Sequence, residues 1–489
     1  MINRDLRIVK LLLIAFIGMI LKIQASNPII TNIYTADPAA MVYGDSVYLY
    51  TGHDEASASA TGYVMNDWHV FSTGDMVNWK DHGEVLKVSD FSWASRDAWA
   101  AHTVERNGKF YWYVTLGPKT GGAFAIGVAV SDSPIGPFTD AIGAPLITDA
   151  MTPDVTYDID PAVFIDDNGQ AYLYWGNGGV CKVVKLKENM IELDGSIFDL
   201  SIPLFTEASY LHKRNSVYYF TYASGWPETI AYATSNGPFG PFIYKGTLNA
   251  LVSSTTNHQS VIEFKDQWYF IYHTGAIGGD YQRSVCVDYL FYNADGTIKE
   301  IVQTDEGVEA LDGSCMPAAI TSKQRSNGGN WSKSYKITVV EGDSVEFSPE
   351  VDVAGKWNWT GPNGFTDTNR VIKLKDLTLE QGGLYKATFT RDCGTKTYMK
   401  YTLGVMNGLS EKLETNHSYV LFPKGSELAV SVKNGLSANG TEIVQSAFTK
   451  SNNQIWKFVV VASYYYWVQP QNANEMSLCV ESSMIKSML

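Results

Sequence analysis

The chain has 489 residues, 45% of them apolar and 13% aromatic, with 42 glycines, and its formal charge is −14. That length exceeds one ordinary domain, and the composition fits a strand-rich globular protein with many turns and not a disordered polymer. The acidic balance disfavours a nucleic-acid partner and points to a neutral or small substrate such as a sugar.

Residues 1–25 differ from the rest. MINRDLRIVK is basic, LLLIAFIGMILKI is apolar, and Gln24-Ala25-Ser26 offers small residues for cleavage. This reads as a secretory signal peptide, because the apolar run is short for a membrane span and nothing like it recurs. Its removal takes away four basic residues and one acidic residue, moving the formal charge from −14 to −17. A secreted or periplasmic location is expected, with no membrane span in the mature chain. The five cysteines, Cys181, Cys286, Cys315, Cys393 and Cys479, show no metal spacing. Buried free thiols are expected, with room for one adventitious disulfide.

From residue 30 to about 305 one pattern occurs five times: DPAAMVYGDSVYLYTG, WAAHTVERNGKFYWYVT, DPAVFIDDNGQAYLYWG, EASYLHKRNSVYYFTYA and HQSVIEFKDQWYFIYHT. Each copy runs from a small or polar start through an apolar strand and a polar turn into an aromatic strand. Each is followed by a second hairpin such as IGVAVSDSPIGPFTD or IAYATSNGPFGPFIYKG. Four strands per repeat cannot bury both faces of a sheet, so neighbouring copies must stack. Five stacked sheets predict an all-β, five-bladed β-propeller over residues 26–320; a β-sandwich, the other all-β choice, leaves the five copies unexplained. In a propeller the first strands line the central channel. The aligned starts, Asp37, Ala100, Asp160, Glu207 and His258, are therefore expected at one mouth of it.

Beyond the repeats, QRSNGGNWSKS reads as a polar linker. Residues 333–406 alternate as strands around Trp357 or Trp359 and predict an immunoglobulin-like β-sandwich. Residues 412–489 contain Gln454-Ile455-Trp456 and resemble a partial ricin-type β-trefoil, with fewer than two of its three repeats.

Two carboxyl groups flanking a labile bond are the minimum apparatus for glycoside hydrolysis. Asp37-Pro38 and Asp160-Pro161 each suit a fixed strand start, and equivalent placement with Glu207 raises all three above ordinary strand openers. The text "DIDPAVFIDDNGQAYLYWG" and "TNHQSVIEFKDQWYFIYHTG" followed by "RSVCVDYLFYNADGTI" resembles glycoside hydrolase family 43, nearest its branch of α-L-arabinofuranosidases and arabinoxylan arabinofuranohydrolases. The resemblance implies an inverting hydrolase of plant polysaccharide. It places the general base on Asp37, a pKa-tuning and orienting aspartate on Asp160, and the general acid on Glu207. Inversion implies a gap of roughly 6.5–9.5 Å between base and acid. It further implies that Arg283 hydrogen-bonds the terminal sugar and that His258 lies on the axis near a candidate structural calcium; no cofactor is required for the chemistry. One departure is Glu207-Ala208-Ser209, where relatives carry Glu-Gly-Pro. Trp93, Trp99, Trp175 and Trp226 are candidate sugar-stacking residues, about two of which are expected to touch ligand. Asp166-Asp167-Asn168-Gly169 and Asn293-Ala294-Asp295-Gly296 read as hairpin turns, since neither carries the later bidentate glutamate of a calcium loop. β-D-Xylosidase and endo-arabinanase activities are the rivals within the family, and a non-catalytic carbohydrate-binding propeller is the rival from another class.

Overall fold

The structure, a computed structural model, describes residues 26–489 except Asp312 and the stretches 407–417, 422–427, 438–440, 463–464 and 473–489. The expected signal peptide and Cys479 lie outside the described residues. The described chain is all-β, its only helices being single 3-10 turns. It forms two compact units, the second comprising most of residues 405–489.

Five antiparallel sheets follow one another along the first unit. Their first strands are Thr35–Tyr43, Ala101–Arg106, Ala162–Ile165, Glu207–Arg214 and Gln259–Phe264. Each touches the next, and the fifth touches the first, so the five close into a ring, as expected of a five-bladed propeller. Crowding near the axis explains why these strands carry small residues such as Ala36, Ala39, Ala101, Ala162 and Ser260, all buried. Farther out the gaps widen and aromatic second strands fill them. Each pair of neighbouring sheets encloses its own apolar cluster, for example Tyr50 and Trp68 with Trp112, or Tyr174 with Phe220. Burying a side chain of this size stabilises the fold by about 1.5–3 kcal/mol, so the five seams supply much of the driving force. The buried tyrosines also need hydroxyl partners. Tyr50 donates to the Pro134 carbonyl (2.7 Å) and Tyr174 to the Pro238 carbonyl (2.9 Å), each in the SxxPxGPF-like turn of the following sheet.

The sheets are less uniform than four strands apiece. The second has six, three of them short strands at its margins, and the fifth has only three strands, Gln259–Phe264, Gln267–Thr274 and Ser284–Leu290. The open edge of the fifth is covered by the N-terminal stretch. Ile29 N–H donates to the Val285 carbonyl (2.8 Å), Val287 N–H to the Asn27 side chain (2.8 Å) and Thr35 N–H to the Arg283 carbonyl (2.9 Å). The first and last repeats are thereby stitched together, which satisfies backbone groups that a bare edge would expose.

After the ring the chain builds two small sheets. One pairs Gln324–Ser326, Val345–Phe347 and Ile372–Leu374; the other contains Thr366–Asp367, Gly355–Thr360, Gly383–Arg391 and Lys396–Met406. They meet through Phe347, which lies 6.3 Å from Trp359 and 4.6 Å from Tyr401 between ring centres, so Trp359 is the central tryptophan. The expected linker is therefore corrected: Gln324–Ser326 is a strand, because buried Gln324 pairs with Phe347. The cysteines follow the expectation: Cys181 and Cys286 are buried and free, and the one disulfide joins Cys315 and Cys393, tying the segment after the ring to the last hairpin of these sheets. Asp305 adds ion pairs to Lys386 (2.7 Å) and Lys400 (2.8 Å).

In the second unit, Gln454 is buried and donates to Ser431, Ser446 and the Ala447 carbonyl, and Trp456 donates to the Val430 carbonyl (3.0 Å). The Gln-x-Trp pair is thus a packing element. Among the described residues no helix is long and apolar enough to cross a membrane.

The cross-link closes a loop of 78 residues. Cys393→Ser is expected to cost about 2–4 kcal/mol, read as an earlier denaturant midpoint that dithiothreitol reproduces in the wild type; identical transitions would refute a structural role.

Candidate active site

The mouth of the ring holds a cavity of about 240 Å³ onto which Asp37, Asp160, Glu207, His258 and Arg283 all open. Its geometry starts with backbone. Asp37 (φ +49°), Asp160 (φ +59°) and Ala208 (φ +57°) adopt the left-handed conformation that non-glycine residues rarely use. The pairing register slips between Ala36 and Ala39 and again between Glu207 and Tyr210. Such bulges re-aim side chains next to functional sites, and here they turn carboxyl groups toward the axis.

Asp37 is 8% exposed. Burial alone would raise its pKa, but Arg283 donates to its Oδ1 at 3.0 Å and holds the carboxyl well below the usual range. His273 Nδ1 lies 3.3 Å from the same oxygen. That nitrogen also accepts the Asp37 N–H (3.2 Å) while Nε2 donates to the Thr256 carbonyl (2.9 Å), so the bonds fit the Nε2–H tautomer and leave Arg283 as the counter-ion. Arg283 is itself fixed. Nε and Nη2 donate to Asp54 Oδ2 (2.8 Å) and Oδ1 (2.9 Å) as a fork, and the guanidinium carbon sits 4.4 Å over the Tyr63 ring. Thr256 Oγ1 (3.3 Å) and Met65 Sδ (3.5 Å) take the two remaining donors.

Glu207 meets the opposite environment. Burial first, and then the Asp37 charge, pushes its carboxyl up to about 7, although the Asn177 side-chain amide hydrogen-bonds to it. Asp160 is raised as well, by burial and then by Glu207 and Asp37. Its Oδ2 accepts the Ala208 N–H (2.7 Å), so it grips the backbone beside Glu207. Glu228, fully buried, is pushed up to about 10 by burial and then by Glu207; it accepts the Asn257 N–H (2.8 Å). In its protonated form it is a donor within reach of Glu207. One buried carboxylate is thus kept charged beside carboxyls that keep protons, which is the pairing that base and acid catalysis need.

Residues 25–298, more than half of the chain, match the family described as Glycosyl hydrolases family 43. The chain belongs to that family. It is 35% identical to the xylosidase/arabinosidase 43A of Humicola insolens over 55% of this chain and 98% of that protein. It is 32% identical to an arabinoxylan arabinofuranohydrolase of Bacillus subtilis (strain 168), covering 65% of this chain and 75% of the relative. The solved structure of an α-L-arabinofuranosidase from Clostridium thermocellum superposes with a TM-score of 0.50 at 42% identity, over 57% of this chain and 97% of the other.

Within this family-43 ring, the remaining expected residues separate clearly. Trp99 and Trp226 line the cavity, Trp226 with 67% of its surface exposed. Trp175 does not: it is wholly buried between sheets and donates its indole N–H to Asp158 (2.8 Å). Trp93 is also elsewhere, donating to Asp140 (3.1 Å) and packing against Phe91 and Gly127. Arg283 reaches the cavity, where its contacts to Asp54, Asp37, Thr256 and Met65 make it the counter-ion of Asp37. His258 Nδ1 lies 4.0 Å from Asp37 Oδ1 and 3.8 Å from Asp160 Oδ2, and burial pulls its pKa down to about 4. A single imidazole beside two occupied carboxyls is not the cage of six to eight oxygens that calcium takes, so the residues present do not fit that ion.

Sequence reasoning missed Asp54, Asn177, Glu228 and His273. Three of these sit at the ends of aromatic second strands, after YLYTGH, YLYWG and YFIY. Antiparallel register returns those ends to the first-strand starts: Ala36 pairs with Gly52 and Gln259 with Tyr272. The signal was present in the same alignment.

Ala208 holds a positive φ that glycine adopts freely. Ala208→Gly is expected to leave the Asp160 contact intact and change stability by no more than about 1 kcal/mol in the favourable direction, as relief of strain and added chain entropy compete. A loss above about 1 kcal/mol in chemical denaturation would contradict the strain reading.

Proposed function

We propose that the protein is a secreted glycoside hydrolase that removes terminal α-L-arabinofuranosyl residues from arabinoxylan or arabinan with inversion. The observation that carries this is the placement of Asp37 against the Arg283 guanidinium and of Glu207 against the Asn177 amide in one small cavity. In the proposed mechanism Asp37, ionised by Arg283, takes a proton from the attacking water. Glu207 gives its proton to the departing glycosidic oxygen, and Asp160 orients the acid through the Ala208 amide. No cofactor enters these steps. Trp99 and the exposed Trp226 offer apolar faces to the sugar. The two sheets packed over Trp359 are read as an immunoglobulin-like module, and the buried Gln454 and Trp456 support a reduced relative of the ricin-type trefoil. Export rests on the leader-like residues 1–25.

β-D-Xylosidase activity is the second reading, favoured by the pairing of both sugars in the name of the Humicola insolens relative. Release of 4-nitrophenol from its α-L-arabinofuranoside and from its β-D-xyloside separates the two; a faster xyloside would transfer the assignment. Glu207→Gln and Asp37→Asn are each expected to lower kcat/KM by about 10²–10⁴. Full activity in either would favour a binding propeller instead.

The pH profile follows from the site. A base works only when deprotonated, so activity falls as pH drops through the Asp37 pKa, below the usual carboxylate range. An acid works only when protonated, so kcat/KM falls as pH rises above about 7. Asp54→Asn loosens Arg283 and is expected to move the acid limb upward; an unmoved acid limb would exclude Arg283 as the control of Asp37.

A further inference from the structure

Outside the sugar cavity, the first sheet carries three metal-ligating side chains on adjacent strands. His53 ends the strand Ser46–His53, and Asp67 and His69 open the strand Asp67–Thr73. Asp67 Oδ1 lies 2.9 Å from His53 Nδ1 and 3.3 Å from His69 Nε2, and one ligand atom from each residue falls within 4.8 Å of the others. Among the described residues this is the only such group of three. Zinc bonds of about 2.0–2.1 Å arranged tetrahedrally put neighbouring ligand atoms about 3.3 Å apart; the Asp67–His69 separation matches that spacing and the Asp67–His53 separation is shorter by about 0.4 Å.

The surroundings fit as well. The three side chains are between 11% and 22% exposed, which leaves water access to an open coordination position. His69 Nδ1 is buried and has no hydrogen-bond partner, and it lies 4.0 Å from Asp81 Oδ1. A metal on Nε2 would fix the proton on Nδ1 and direct it to that carboxylate, the usual support of a metal-bound histidine. Asp54 and Glu55 add negative charge beside His53. Two imidazoles and one carboxylate suit a borderline transition ion and not calcium.

We propose that His53, Asp67 and His69 bind one divalent transition-metal ion of the zinc type. The site lies one residue from Asp54, so an occupied site would brace the strand end that holds Arg283, and through it Asp37.

The test uses the full chain stripped with EDTA and titrated with Zn²⁺ by calorimetry, with bound metal counted by mass spectrometry. One ion per chain is expected, with a Tm rise of about 5 °C at a hundredfold excess over Kd. His69→Ala is expected to weaken binding by about 100-fold or more, whereas His82→Ala, a histidine of the same sheet outside the trio, and His258→Ala at the axis keep it. No heat and no Tm change in the wild type would overturn the site, showing a purely hydrogen-bonded trio. Binding that survives His69→Ala, or that disappears with His258→Ala, would overturn it by placing the ion elsewhere.

Discussion

The cavity is organised by one guanidinium shared between two buried carboxylates. Placing Asp37 out of water would ordinarily return it to the neutral acid, since an isolated buried charge is too costly to keep. Arg283 prevents this, and Asp54 prevents Arg283 from turning elsewhere by engaging Nε and Nη2 as a fork. The resulting charge on Asp37 is then felt by the carboxyls that have no such partner. Glu207 has an amide from Asn177, Asp160 a backbone N–H, and Glu228 another backbone N–H, all weaker supports than a full positive charge. The asymmetry between base and acid therefore comes from one cation placed on one side of a pocket, with burial common to both sides.

Placement of the carboxyls depends on backbone that a regular strand could not provide. Asp37, Asp160 and Ala208 all take positive φ, and two bulges interrupt the first strands where the ring is narrowest. Ordinary alternation would send successive side chains to opposite faces of the sheet. The departure from Glu-Gly-Pro at Glu207 falls on this feature: the strained position is the alanine whose N–H holds Asp160. A difference that touches no carboxyl can in this way still bear on how two carboxyls face each other.

Much of this was legible in the text of the repeats. Five copies with a fixed start predicted both the ring and the meeting of Asp37, Asp160, Glu207 and His258. The partners of those groups were harder to read because they belong to second strands, whose polar last residues look like ordinary turn openers until antiparallel pairing folds them back. Trp175 and Trp93 misled for a related reason: a tryptophan's contacts depend on which face of a sheet it occupies, and both found aspartate partners away from the cavity. Arg283 was located correctly, but the number of its donors already spent is a three-dimensional fact. The Cys315–Cys393 pairing was hidden by a sequence separation of 78, and the strand at Gln324 by its polar composition.

The seam that closes the ring is also where the charged base is made. Asp37 belongs to the first repeat, while Arg283 and His273 belong to the last. Between them Thr35 N–H donates to the Arg283 carbonyl and Thr35 Oγ1 accepts the Val285 N–H, so the backbone ties lie within two residues of the ion pair. Four of the five sheets could be intact and Asp37 would still lack its cation. Closure of the ring therefore brings the buried base to the cation that keeps it charged, which ties the integrity of residues 27–35 to the chemistry as well as to the fold.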